Sequence, residues 1–193
     1  MTLIDEVLQL VESYEGKTEQ KKNNADWLLQ LMKDSGNPTS WQVPEPYCIA
    51  AALSVWNVVL QRHNLKLPFI PSKSTQTCYD NAKQKGFVGA EPSVGDIVIF
   101  RKGDGWQGHA GIVTKVLSDR ICTTEFNTSS NHAGNQRDGE GCYARTRLFK
   151  DFQKSSTRLW IRGYIKLSRL VKLQETPLAS TGTTITNQEN NHG

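Results

Sequence analysis

Three positions in chain order have the residue types for acyl transfer through a thiol: Cys48, His109, and the acid or amide of Glu125-Phe126-Asn127. Cys48 closes the segment Trp41-Gln42-Val43-Pro44-Glu45-Pro46-Tyr47 and precedes an apolar, helix-compatible run, Ile49 to Trp56. Pro46 suits the first turn of a helix because its missing N–H needs no partner there, so the sequence predicts Cys48 within that turn, near the positive end of the dipole. A thiolate is favoured in such a place, and the thiolate is the reactive form. It needs an imidazole within hydrogen-bond reach, and the imidazole needs a third polar group to fix its tautomer and orientation. His109, in Gly108-His109-Ala110-Gly111-Ile112-Val113, is the candidate base, and Glu125 or Asn127 the candidate orienting group. The rival readings are a small buried hydrophobe for Cys48 and a strand-start histidine with a satisfied ring for His109.

The elements that must hold these residues read as an α+β layout, helices first and strands after. Leu3, Val7, Leu8, Val11 and Tyr14 recur at helical spacing behind Thr2 as N-cap with Asp5. A second helix is expected over 25–33 with Asn24 as cap and Gly36 as stop, the nucleophile helix over 46–63, and a further helix over 75–85. Strand character follows at 97–101, 110–117, 121–125, 142–148 and 161–167, with Ser118-Asp119-Arg120 as a hairpin turn. Across that hairpin His109, at the start of one strand, and Glu125, near the end of its neighbour, can meet. From Gln174 to Gly193 the chain is rich in Thr, Asn, Ser and Gly, and the composition predicts a disordered tail.

Composition narrows the function classes. With 193 residues, 37% hydrophobic and 22% charged, the chain can bury one ordinary core. A net charge of +4, spread along the chain, does not indicate nucleic-acid binding. No stretch approaches the roughly 18 to 20 apolar residues of a membrane span, and Met1 to Glu6 does not begin a secretory signal. Cys48, Cys78, Cys122 and Cys142 have no metal-ligand spacing, so zinc is not expected; the last three read as structural thiols, with Cys78 as the competitor nucleophile. His63 reads as a helix C-terminal cation, His132 as part of a polar loop and His192 as part of the tail.

Over roughly residues 40 to 167 the chain resembles the cysteine, histidine-dependent amidohydrolase/peptidase (CHAP) domains, relatives of the NlpC-type wall peptidases in the papain-like superfamily. The resemblance is carried by Pro46-Tyr47-Cys48-Ile49-Ala50-Ala51, Gly95-Asp96-Ile97-Val98-Ile99-Phe100, Gly108 to Val113, Glu125 to Ser129 and Gly139 to Arg147. Tyr47 stands where Trp is frequent, and Phe126 where a smaller residue often stands. The resemblance implies a papain-like fold, its nucleophile helix packed on an antiparallel sheet. It divides the chain into an N-terminal helical extension (1–39), a catalytic domain (40–170) and a tail (171–193). It carries over Cys48 as nucleophile, His109 as base, and Glu125 with Asn127 as the orienting group. The backbone N–H of Cys48 and the side-chain amide of Gln42 are the expected oxyanion donors, and Trp106, Arg137 and Asp138 the expected substrate contacts.

The activity so implied is cleavage of an amide bond in the peptide part of bacterial peptidoglycan, through a thioester and without a cofactor. Some relatives carry calcium near the site, but no acidic loop here matches a calcium-ligand pattern. The expected setting is a monomeric phage lysin or antibacterial effector, the latter with an immunity partner. It would act at the cell wall without nucleic acid or membrane insertion, released through a holin lesion, a phage tail or a secretion apparatus. A thiol hydrolase or transferase on a protein or lipid amide, and a non-catalytic wall-binding protein, are the alternatives.

Overall fold

The computed structural model describes residues 1–41, 45–129 and 139–175. Helix α1 (Leu3–Glu12) starts as the sequence predicts. The Asp5 N–H donates to Thr2 Oγ1 at 3.1 Å and the Thr2 N–H to Asp5 Oδ2 at 2.9 Å, a reciprocal capping box. Its Leu3, Val7 and Val11 are buried. Helix α2 (Asp26–Ser35) ends at Gly36, which is left-handed with φ 71°. Its predicted cap is corrected. Ala25 occupies the N-cap position, the Asp26 N–H bonds Gln20 Oε1 at 3.4 Å, and Asn24 is engaged in the preceding turn through backbone bonds to Gln20 and Lys21.

Helix α3 (Cys48–Arg62) is the central element, with Cys48 through Trp56 buried without interruption. A helix apolar on all sides must be covered on all sides. Here α1 and α2 cover one side and the sheet the other. The helix starts later than the sequence suggested. Tyr47 is the N-cap residue, so Pro46 precedes the helix and Cys48 is its first residue. His63 sits at the C-cap and its Nε2 is 2.8 Å from Glu6 of α1. Helix α4 (Thr75–Gln84) opens on Ser74, whose hydroxyl accepts from the Thr77 N–H.

The strands β1 (Val88–Gly89), β2 (Ile97–Lys102), β3 (Gly108–Val116), β4 (Arg120–Thr128), β5 (Gly141–Leu148) and β6 (Leu159–Ile165) form one antiparallel sheet in the order β1-β6-β2-β3-β4-β5. Alternation along the strands divides the side chains between two faces. Ile97, Ile99, Ala110, Ile112 and Phe126 join the helices in the main core. Val98, Phe100, Val113, Ile121 and Tyr164 form a second cluster, covered by Phe149 and Phe152 of the short 3₁₀ turn after β5. The β3–β4 turn closes at Ser118-Asp119, with the Leu117 N–H on the Arg120 carbonyl.

Two features lay outside the sequence reading. A final helix, α5 (Leu167–Glu175), begins where the last strand was expected to end and continues into the expected tail. Asp96 anchors it: buried on β2's threshold, its carboxylate accepts the Leu167 N–H at 3.0 Å and pairs with the Lys166 ammonium. Burial raises the Asp96 pKa, with Lys166 opposing. The Gly95-Asp96 step is thus a joint between β2, α5 and α3, whose Trp56 Nε1–H donates to the Gly95 carbonyl at 3.0 Å. The other feature is an arm between α1 and α2. It lies along the edge of β5, with the Gly16 N–H on the Cys142 carbonyl at 2.8 Å and the Cys142 N–H on the Lys17 carbonyl at 2.9 Å. A sheet edge otherwise open to pairing is covered by the chain itself.

Candidate active site

Cys48 and His109 meet at one end of a cleft of about 410 Å³. Its walls come from Glu45 and Pro46 before α3, Lys73 to Thr75 at the start of α4, and Trp106 to His109 entering β3. Although both line the cleft, Cys48 is only 5% exposed and His109 only 2%. A wall that hides the reacting atoms from bulk water strengthens every electrostatic contact between them.

His109 accounts for both of its ring nitrogens. Nε2 lies 2.8 Å from Glu125 Oε2, and the ring's remaining polar atom, Nδ1, is left for the hydrogen bond with the Cys48 thiol. Burial disfavours the imidazolium, but the Cys48 hydrogen bond and then Glu125 outweigh it and raise the His109 pKa to about 9. Both neighbours thus favour the charged ring. It also stacks on Phe100 at a centroid distance of 6.1 Å, which fixes its plane.

The question between Glu125 and Asn127 is answered by geometry: Glu125 takes the second ring nitrogen. Register explains how. His109 pairs with Phe100 on β2, while Glu125 faces Gly111 on β3, two residues past His109 on the same face. A side chain at 111 would block the diagonal, since a Cβ there would lie 2.5 Å from Glu125 Cγ. With glycine, the carboxylate leans across to the imidazole. Asn127 instead stands at an irregularity between Phe126 and Thr128 in the β4–β5 pairing, with φ 53°. Its backbone N–H serves the Tyr47 hydroxyl. That hydroxyl donates to Glu19 Oε1 at 2.8 Å, and Tyr47, wholly buried beside Trp27, thereby ties the residue before Cys48 to the arm on β5.

Glu125 is itself held on three sides. Thr123 Oγ1 donates to its Oε1 at 2.7 Å, Arg147 Nε donates to the same oxygen at 2.7 Å, and Arg147 Nη2 donates to Oε2. Burial would raise the Glu125 pKa, but the Arg147 guanidinium and the His109 bond hold it well below the usual carboxylate range. Cys78 and Cys142 sit in the opposite environment: burial pushes the Cys78 thiol up to about 12 and Cys142 well above the ordinary thiol value. Neither lines the cleft.

Trp106 sits in the β2–β3 turn on the cleft rim, 70% exposed. Gln42, Arg137, Asp138, His132 and His192 lie outside the described residues. Sequence reasoning missed Thr123, Arg147 and the α4 wall. In that wall Gln76 Nε2 donates to the Phe100 carbonyl at 2.9 Å, and Gly108 passes so close that a Cβ would lie 2.3 Å from both. No group of three or more His, Cys, Asp or Glu able to hold a metal occurs among the described residues. No helix among them is long and apolar enough to cross a membrane.

A thiol at the first residue of a buried central helix, facing a His–Glu pair on an antiparallel sheet, is an α+β arrangement consistent with the papain-like fold. Comparison with family models makes this specific: residues 38–128 match the CHAP domain, the domain of cysteine/histidine-dependent amidohydrolases and peptidases. Comparison with curated proteins finds no match.

Proposed function

We propose that the protein hydrolyses an amide bond in the peptide portion of bacterial peptidoglycan, with Cys48 as nucleophile, His109 as acid and base, and Glu125 as the group that orients His109. The observation that carries this reading is the buried Cys48–His109–Glu125 relay opening on a single cleft within a CHAP domain. A peptide carbonyl is a poor electrophile, so the reaction needs an activated nucleophile and a stabilised oxyanion. Cys48 attacks as thiolate while its proton resides on His109. The carbonyl carbon gains the S–C bond and its oxygen becomes the oxyanion, which the Cys48 N–H at the helix start receives, with Gln42 as the second donor. His109 then passes its proton to the departing amine as the C–N bond breaks. In the second half His109 takes a proton from water, hydroxide adds to the thioester, and the thiolate leaves.

The walls of the cleft support a peptide with polar flanks: Trp106 offers an apolar face, and Lys73 and Glu45, paired at 2.8 Å, place opposite charges beside it. Substrate contact by Arg137 and Asp138 is part of the same proposal. Such an enzyme acts at the bacterial wall, delivered as a phage lysin or as an antibacterial effector whose immunity partner would cover the cleft.

The test is digestion of purified peptidoglycan by wild type, Cys48→Ala and His109→Ala, with released fragments identified by mass spectrometry. Fragments from wild type alone are expected, and they name the bond cut. An unchanged digest from folded wild-type protein sinks the wall substrate and moves the search to protein and lipid amides.

A further inference from the structure

We infer that Arg147 is a positioning residue of the reaction, one that fixes the Glu125 carboxylate by a two-pronged hydrogen bond and through it sets the His109 ring and the charge state of the Cys48–His109 pair. This inference rests on the reading of Cys48 and His109 as the reacting groups. Arg147 belongs to β5, beyond residues 38–128, the stretch that the family model matches.

The geometry is that of a clamp. Nε and Nη2 of one guanidinium engage the two oxygens of one carboxylate, the arrangement that gives arginine its directional hold on carboxylates. The guanidinium is fixed in turn, with its carbon 5.4 Å from the Phe100 ring centroid and 5.3 Å from that of Phe152. Phe100 also stacks on His109, so a single aromatic ring borders both the base and the arginine that acts through Glu125. Because Thr123 Oγ1 takes a further position on Oε1, the carboxylate has one orientation left, the one that meets Nε2 of His109.

Charge gives the clamp a second effect. Reading from sheet to cleft, guanidinium, carboxylate and imidazolium alternate in charge and end at the sulfur of Cys48. The titratable and charged groups facing this row are Cys48 from α3, His109 from β3, and Cys142, Tyr143, Arg145 and Arg147 from β5. Arg147 is the largest charge holding Glu125 ionised against its burial, and without it a proton taken up by Glu125 as pH falls relieves the buried charge. The carboxylate that favours the His109 imidazolium is then lost at higher pH than in wild type.

The test uses iodoacetamide on the whole chain from pH 4 to 10, with alkylation of Cys48 quantified by peptide mass. The thiolate forms the S–C bond and iodide leaves, so the rate follows the thiolate without any wall substrate. In Arg147→Met the lower inflection is expected to rise by about one to three pH units, the size of an opposite-charge contact at this range. Arg147→Lys is expected between the two, since it keeps the charge and loses the fork. A folded Met variant, verified by near-UV circular dichroism, with the wild-type profile overturns the inference, for a merely structural arginine would lower the melting temperature and leave the profile in place. If the Met variant fails to fold, Arg147→Gln takes its place under the same two outcomes. Peptidoglycan turnover separates the two readings. No turnover in wild type together with a shifted inflection sinks the wall reading alone, whereas turnover with an unshifted inflection sinks the role of Arg147 alone.

Discussion

His109 is the proposed acid and base, and its environment fixes the direction of the pH effects expected from that role. Its pKa is raised to about 9 against opposing burial, so with His109 as the proposed acid, leaving-group protonation is expected to fail above that pH. Activity is expected to fall along an alkaline limb near pH 9. Glu125→Gln removes the negative charge that favours the imidazolium, so the limb moves to lower pH. The same change leaves Arg147 buried against a neutral amide, and a loss of about 3–5 kcal/mol is expected on denaturant unfolding. Asn127→Gly, at a left-handed position that glycine accepts, leaves the alkaline limb in place. An equal shift in both variants would refute the assignment of the orienting bond to Glu125. Stability follows the same groups. The His109 contribution is complete below its ordinary value of 6.5 and is lost as pH rises through about 9. The Glu125 contribution, from a depressed pKa, is present above the ordinary 4.5 and is lost as pH falls. Thermal melts should therefore plateau between about pH 4.5 and 6.5 and decline on both sides, and a flat melting temperature from 6.5 to 9 would contradict the His109 assignment.

At the scale of elements, the site depends on one diagonal across the β3–β4 ladder. Gly111→Ala puts a Cβ 2.5 Å from Glu125 Cγ. The carboxylate must move off the imidazole, and overpacking costs about 1–3 kcal/mol. Turnover at least tenfold below wild type, with the alkaline limb displaced downward, is the expected result. A variant that is merely less stable, with wild-type kinetics below its melting point, would show that Glu125 reaches His109 by another path. This scale also marks where the sequence was legible. The helix bearing Cys48, the strand opened by His109 and the hairpin that returns Glu125 follow from periodicity and turn chemistry. The start of α3 was misjudged by two residues because Pro46 suits a first turn equally well just outside it. Glu125 could not be separated from Asn127, since strand alternation puts both on one face until the irregularity at 126–128 removes Asn127 from the regular pairing. Arg147 was invisible because its meeting with Glu125 depends on the β4–β5 register, in which Glu125 pairs with Tyr143 and Arg147 with Ile121. Nothing local in Thr146-Arg147-Leu148 signals a partner 22 residues away.

In the whole molecule the first 36 residues share the core of α3, the helix that bears Cys48. Leu3, Val7 and Val11 of α1 and Leu28, Leu31 and Met32 of α2 are buried in the cluster that contains Cys48 to Val55 of α3. A buried polar group crosses the same contact, with Ser54 Oγ accepting from Ser35 Oγ at 3.0 Å and from Asn37 Nδ2 at 2.8 Å. Removing residues 1–36 would expose the apolar flank of α3, and the shortened chain is expected to lack a cooperative melt. A truncated protein that melts as sharply as the full chain would show that the helices are an independent appendage. The arm along β5 has a consequence for the order in which the molecule is made. Glu15 Oε1 accepts from Thr124 Oγ1 at 2.6 Å across 109 residues of chain, and Gly16 and Lys17 pair with Cys142. Contacts so distant in sequence close late, because long loops must be ordered before they are rewarded. A nascent chain that has already exposed Cys48, His109 and Glu125 thus lacks β5, its arginine and the strand that the arm secures. Pulse-labelled hydrogen exchange during refolding should find β5 and residues 16–19 among the last amides protected, making the hydrolytic machinery a product of completed synthesis.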